Sequence, residues 1–259
     1  MDPTLIQRLG DELYDALRAR SVVEPLTSRH EGIGIADAYG IQQRMIARRL
    51  DAGERIVGKK IGVTSRAVMN MLGVFQPDFG YLLDGMLVGG ESIDSRTLIQ
   101  PKAEGEIAFL LKRDLMGPGI GNADVLAATE CVMPCFEIVD SRIRDWKIQI
   151  ADTVADNASC GVFVLGDRAV DPRRVDLATC GMVLEKNGEV IATGAGAAAL
   201  GSPVNAVAWL ANTLGALGIG LKAGEVILSG ALAAMFPAQA GDSFRVSIGG
   251  LGGCSVRFH

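Results

Sequence analysis

Glu104 and Glu106 lie in Pro101-Lys-Ala-Glu-Gly-Glu-Ile-Ala-Phe-Leu-Leu111, and Glu137 lies in Cys135-Phe-Glu-Ile-Val-Asp140. From Gly105 onward the first segment alternates and is rich in Ile, Phe and Leu, which predicts a β-strand. Residues i and i+2 of a strand share a face, so Glu104 and Glu106 project side by side while Ile107, Phe109 and Leu111 take the opposite, core-facing side. Glu137 is flanked by Phe136 and Ile138 in a second short apolar run. Acidic side chains in buried strands are costly unless paired or metal-bound. Three oxygen ligands with no His or Cys beside them suit Mg²⁺ or Mn²⁺ better than Zn²⁺ or copper. A lone Glu-x-Glu also fits a solvated strand face, and the rest of the chain must separate the two readings.

Lys59 and Lys60 are adjacent within Ile56-Val-Gly-Lys-Lys-Ile-Gly-Val63, a predicted strand, so one of them faces inward. A buried lysine has a lowered pKa and can exchange protons or anchor a carboxylate, whereas a lysine at a strand end can reach out to solvent. Asp78, in Gln76-Pro-Asp-Phe-Gly80, reads locally as a Pro-Asp turn. Asp156, Asn157 and Ser159 occur in a polar, small-residue stretch. They are turn formers or hydrogen-bonding groups that line a pocket. Two glycine-rich segments are not phosphate loops: Gly215-Ala-Leu-Gly-Ile-Gly220 has the wrong spacing, and Gly58-Lys59-Lys60 lacks both the upstream Gly and the following Ser/Thr.

The elements that must hold these groups are legible in outline. Asp2 caps and Pro3 opens a first helix with Leu5, Leu9, Leu13 and Leu17 at i+4 spacing; a second runs from about Asp37 to Asp51. Ser65 to Leu72 predicts a short helix closed by Gly73, and Asn122 a helix running to about Met133. Asn187-Gly188 between two apolar runs predicts a type I′ hairpin. Ser202-Pro203 starts a helix that ends near Gly218, and strands are expected at 225–229, 243–248 and 254–258. The fold class is therefore α+β: a helical N-terminal segment (1–75) packed on a mostly antiparallel, rolled or sandwiched β core (76–259), one functional unit.

Composition narrows the function classes. The 259 residues are 49% hydrophobic and 21% charged, as in a folded globular chain, and a net charge of −5 gives no reason to expect nucleic acid or an anionic membrane as partner. Val190 to Leu221 carries no charge, but Gly, Ser-Pro and Asn interrupt it before it reaches a membrane-spanning length. Met1-Asp-Pro-Thr-Leu does not read as a signal peptide. Five cysteines without C-x-x-C spacing read as reduced, buried side chains, and a cytoplasmic location is expected. With only His30 and His259, histidine zinc sites and Ser-His-Asp triads lack material. The uncharged apolar stretch exceeds what one buried helix needs, which predicts a homo-oligomer.

Taken in order, Gly58-Lys-Lys-Ile-Gly-Val-Thr64, Leu72-Gly-Val-Phe-Gln-Pro-Asp-Phe-Gly80, the Glu-Gly-Glu strand, Glu137-Ile-Val-Asp-Ser-Arg142 and Val154-Ala-Asp-Asn-Ala-Ser159 resemble the 2-hydroxypenta-2,4-dienoate (2-oxopent-4-enoate) hydratases of the fumarylacetoacetate hydrolase superfamily. The resemblance spans essentially the whole chain. It implies a mixed β-sandwich roll and Mg²⁺ or Mn²⁺ on Glu104, Glu106 and Glu137. It also implies Lys60 and Asp78 as acid-base residues, and Asp156, Asn157 and Ser159 near the substrate. The implied reaction adds water to the dienoate to give 4-hydroxy-2-oxopentanoate in meta-cleavage degradation of aromatic compounds. The family is similarly oligomeric, and a complex with 4-oxalocrotonate decarboxylase is a further expectation. Hydrolases of the superfamily use a histidine in the helix after the lysine strand; Ser65-Arg-Ala-Val-Met-Asn70 has none, which disfavours carbon–carbon hydrolysis. The alternative is a metal-dependent 4-oxalocrotonate decarboxylase of the same fold. A remoter one is a non-catalytic partner in a pathway complex, against which the burial of so many charges argues.

Overall fold

A computed structural model describes residues 1–259, the side chain of Met71 excepted. The chain opens with helices α1 (Pro3–Ala19), α2 (Leu26–Arg29) and α3 (Ile35–Asp51). Then come β1 (Ile56–Gly62), α4 (Arg66–Leu72), β2 (Asp78–Leu83), β3 (Ser92–Ile93), β4 (Pro101–Leu111), α5 (Asn122–Ala128), β5 (Thr129–Asp140), α6 (Ile150–Ala155) and β6 (Cys160–Leu165). The hairpin β7 (Gly181–Lys186) and β8 (Glu189–Ala195) precedes α7 (Pro203–Gly215), and β9 (Val226–Leu228), β10 (Phe236–Pro237), β11 (Ser243–Ile248) and β12 (Gly252–Phe258) complete the fold.

Local signals explain most boundaries. The Asp2 carboxylate accepts from Thr4 N, Pro3 occupies the first turn of α1, and Ser65 and Ser202 cap α4 and α7. Asn187 and Gly188 take φ of 54° and 85°, the two left-handed positions a type I′ turn requires. One expectation needs correction: the helix from Asn122 stops at Ala128, not near Met133. From Thr129 the chain is extended and pairs antiparallel with β4, whose Leu111 lies opposite Thr129. The ladder to β4 outweighs a local helical preference.

Two sheets form the core. The larger is mixed, in the order β2-β1-β9-β4-β5-β6 with β10 added beside β4; the smaller has the order β3-β12-β11-β7-β8. They pack face to face through side chains such as Phe136 and Phe244, whose rings meet edge to face at 6.3 Å. The N-terminal helices form a second apolar cluster with α6, in which Leu9, Leu13, Ile41, Met45 and Val154 are buried. β1 belongs to the 1–75 segment in sequence but pairs with β2 and β9 inside the large sheet. Among the described residues no helix is long and apolar enough to cross a membrane.

Candidate active site

Strand register assembles the site. In the β4–β5 ladder Glu104 lies directly opposite Glu137, and Glu106 follows two residues along the same face. Ala108 of that face is level with Leu228 of β9, and Leu228 is level with Lys60 of β1. Lys60 pairs with Gly80 of β2, and two residues away Gly62 pairs with Asp78. Five charged side chains on four different strands therefore emerge on one face of one sheet; Lys60, Asp78, Glu106 and Glu137 are buried there and Glu104 is half-buried.

The carboxylate oxygens of Glu104, Glu106 and Glu137 can be chosen so that all lie within 4.8 Å of one another. Glu106 accepts a hydrogen bond from Gly230 N at 2.8 Å. Lys60 Nζ stands 3.1 Å from Glu137 Oε1 as an ion pair, but without hydrogen-bond alignment, and both Glu137 oxygens are buried with no hydrogen-bond partner. Burial, reinforced by the neighbouring Glu137, holds the Glu104 carboxyl up at about 7 and pushes Glu106 well above the usual carboxylate range. Three crowded carboxylates with orphaned oxygens and a single lysine for counter-charge are what a divalent cation with hard oxygen ligands fits.

Both lysines turn out to be buried, not one. Lys59 points away from the site and bonds both Glu225 oxygens at 2.7 Å. Burial lowers its pKa, as expected for a lysine in the interior. Lys60 corrects that expectation. Burial opposes its charge, but Glu137, Asp78 and Glu104 outweigh it and hold the ammonium above the ordinary lysine range. Asp78 is a buried strand residue rather than a turn former; burial raises its pKa, and its Oδ1 has no hydrogen-bond partner.

A cavity of about 350 Å³ opens onto Lys60, Asp78 and Glu104. Its remaining wall is mainly apolar, with Val68, Leu72, Val139, Ile148 and Met235, and Thr153 and Ser159 supply hydroxyls 3.1 Å apart. A groove of about 610 Å³ near Thr64 and Trp209 is larger, but no carboxylate lines it, and the charged groups described above open onto the smaller cavity.

Of the three residues expected against substrate, Ser159 lines this cavity and the other two are engaged elsewhere. Asp156 is fully buried, bonded by Arg142 Nε at 2.5 Å, Arg142 N at 2.9 Å and Ser141 Oγ at 3.2 Å, and does not line the cavity. Asn157 accepts from Tyr81 N at 2.8 Å and donates to Tyr81 O at 2.9 Å. Sequence reading missed Arg142 as the organiser of this corner. Its guanidinium also reaches the carbonyls of Asp140, Asp156 and Cys160. The available signal was slight, an arginine just past the end of β5 in the polar run Asp140-Ser141-Arg142. Asn157, Ala158 and Ser159 all adopt left-handed backbone, with φ of 54°, 50° and 53°. Such conformations cost on the order of 1–3 kcal/mol each for residues other than glycine, and persist only where surrounding contacts over-determine them.

Comparison with known proteins agrees with this geometry. The family described as "Fumarylacetoacetate (FAA) hydrolase C-terminal" matches residues 83–259. In sequence the chain is similar to a "2-hydroxypent-2,4-dienoate hydratase" of Pseudomonas putida, 72% identical over 221 residues, 85% of this chain and 100% of that one. It is also similar to a "2-hydroxyhexa-2,4-dienoate hydratase" of Comamonas testosteroni, 56% identical over 260 residues, 99% of this chain and 98% of that one. In structure it is similar to the 4-oxalocrotonate decarboxylase from Pseudomonas putida G7 complexed with magnesium and adipate. The TM-score is 0.96, the identity 39%, and the match covers 100% of this chain and 99% of that one.

Proposed function

The chain belongs to the fumarylacetoacetate hydrolase family, and we propose that within it this protein is a divalent-metal-dependent hydratase. It adds water to 2-hydroxypenta-2,4-dienoate, the enol of 2-oxopent-4-enoate, and yields 4-hydroxy-2-oxopentanoate in meta-cleavage degradation of aromatic compounds. The higher identity to a protein named as a hydratase (72%) than to the decarboxylase (39%) supports this reading.

Glu104, Glu106 and Glu137 are the residues that would hold Mg²⁺ or Mn²⁺. Bound there, the cation supplies Lewis-acid charge against the negative charge that grows on the 2-oxo oxygen. The protein's own groups handle the protons. Asp78, buried and with an unengaged oxygen, takes a proton from the water whose oxygen bonds to C4. The dienol first ketonises, losing its 2-hydroxyl proton and gaining one at C5, which leaves the remaining double bond at C3–C4. Lys60, which stays protonated beside three carboxylates, then delivers a proton to C3 as that bond is consumed. Val139, Ile148 and Leu72 exclude bulk water from the carbon chain, and Ser159 and Thr153 offer hydroxyls to the added oxygen.

The charge of the cavity wall supports the hydratase over the decarboxylase. Among the described residues lining it, Lys60 is the one cation, and Asp78 and Glu104 are acidic. A monocarboxylate needs no more than the metal and Lys60. The second carboxylate of 4-oxalocrotonate would be left unpaired against apolar side chains or facing Asp78. Supplied with each compound in ¹⁸O-water, the protein is expected to hydrate the dienoate with one labelled oxygen at C4 and to release little CO₂ from 4-oxalocrotonate. Fast CO₂ release without hydration would establish the decarboxylase instead.

The same reading includes a homo-oligomer in the cytoplasm. The uncharged apolar run from Val190 to Leu221, in which Val190 and Leu217 are exposed, supports self-association, since extended apolar surface usually marks an interface. Sedimentation should give a mass well above the 27.2 kDa of one chain, and a mass equal to it would refute the oligomer. Adding 4-oxalocrotonate decarboxylase to the same experiment tests the mixed complex through a co-sedimenting species, and fractionation of the producing cells checks the location.

A further inference from the structure

The left-handed turn 157–159 lines the cavity through Ser159 and meets the charged cluster through the Ala158 carbonyl, which accepts from Lys60 Nζ at 3.0 Å. Everything else about the turn fixes that carbonyl in place. Arg142 clips its two ends, through the Asp156 side chain and carbonyl on one side and the Cys160 carbonyl on the other. Arg142 itself follows β5, the strand of Glu137, so the turn and the carboxylate share a frame. On the opposite flank the Asn157 amide bonds both backbone groups of Tyr81, on the outward edge of β2, much as another strand would. Gly80 makes this approach feasible, because a Cβ there would meet the Asn157 carbonyl oxygen at 2.5 Å. β2 is also the strand of Asp78, and Gly80 is the register partner of Lys60.

We propose that Asn157 is a positioning residue: its amide clamp on Tyr81 sets the Ala158 carbonyl so that the Lys60 ammonium is held between Glu137 and Asp78. Without that carbonyl the ammonium is free to swing fully onto the Glu137 carboxylate. With it, a hydrogen is directed away from Glu137, and the lysine keeps a fixed distance from both β2 and β5. The clamp explains why a strained backbone is retained here with Asn and Ala in place of glycine. It also explains why Asn157 is fully buried without lining the cavity. This inference rests on the reading that Lys60 transfers a proton in the hydration.

The test uses Mg²⁺-loaded protein with Asn157→Gly and Gly80→Ala. The first accepts left-handed backbone without strain but removes the clamp; the second keeps the clamp residue but pushes the turn off β2. Each is expected to lower kcat by about 10²-fold, the cost of misplacing a reacting group by roughly an ångström. KM and Mg²⁺ content should stay close to those of the parent. In ¹⁵N-lysine-labelled protein, the Lys60 ammonium resonance, identified by its loss in Lys60→Arg, should shift in both variants. A purely structural Asn157 would lower the melting temperature while leaving kcat per folded molecule and the Lys60 resonance in place, and that result overturns the proposal. A kcat loss with an unmoved Lys60 resonance overturns it as well. If the parent protein fails to hydrate the dienoate at all, the functional reading falls, and the Lys60 resonance alone still decides whether the clamp positions the lysine.

Discussion

Chelation of the divalent cation is expected to abolish hydration, and Mg²⁺ or Mn²⁺ to restore it. Glu106→Gln is the sharpest single substitution for the same point. The amide oxygen of the substituted side chain can still accept from Gly230 N, so the local backbone contact survives while the charge is lost. Activity should fall to background with the melting temperature little changed. A fully active Glu106→Gln protein, or a fully active metal-free one, would remove the centre of the functional reading. The pH dependence has a defined sign. In the metal-free fold the Glu104 carboxyl is held up at about 7, above its ordinary value of 4.5. Its contribution to stability is present below the ordinary value and is lost as pH rises through about 7, because the charged form is then confined beside Glu137. A bound cation reverses that penalty, so added Mg²⁺ should raise the melting temperature more at pH 8 than at pH 6, and its affinity should weaken as pH falls through about 7. Equal stabilisation at both pH values would argue that the cation is held elsewhere.

Lys60→Met and Asp78→Asn are each expected to lower turnover by roughly 10²–10⁴-fold, the range that general acid-base groups contribute. Methionine retains the apolar stem of the lysine and asparagine the shape of the aspartate, so both proteins should fold. Elemental analysis should find their metal content unchanged. The two losses should not multiply in the double variant, because the groups serve one proton transfer sequence across the same C3–C4 bond. A variant that loses its metal would place that residue among the supports of the cation site, and full activity in either would exclude it from proton transfer.

How far the sequence reached is clearest residue by residue. Glu104 and Glu106 share a face because of the two-residue period of a strand, a local fact visible without any fold. The caps at Asp2, Ser65 and Ser202 and the Asn187-Gly188 hairpin are likewise local, since backbone conformation and nearby hydrogen bonds decide them. The family resemblance carried the joining of Glu137, Lys60 and Asp78 to that pair; periodicity alone did not reach across strands.

What the tertiary structure alone decided depends on partners distant in the chain. Lys59 is buried because Glu225, 166 residues away, meets it. The pKa of Lys60 rises where burial by itself would lower it, because strand register sets three carboxylates around the ammonium. Asp156 and Asn157 have the residue types of a binding loop, and nothing local distinguishes a side chain that meets a ligand from one that ties down a turn. Arg142, 14 residues before Asp156, and Tyr81, 76 residues before Asn157, make that choice. α5 gives way to β5 at Thr129 because β4 offers a ladder that a sequence window cannot contain. Residue type and spacing thus determined which groups could do chemistry. Long-range pairing determined which of them face the cavity and in what charge state, because burial and neighbouring charge are properties of the assembled sheet.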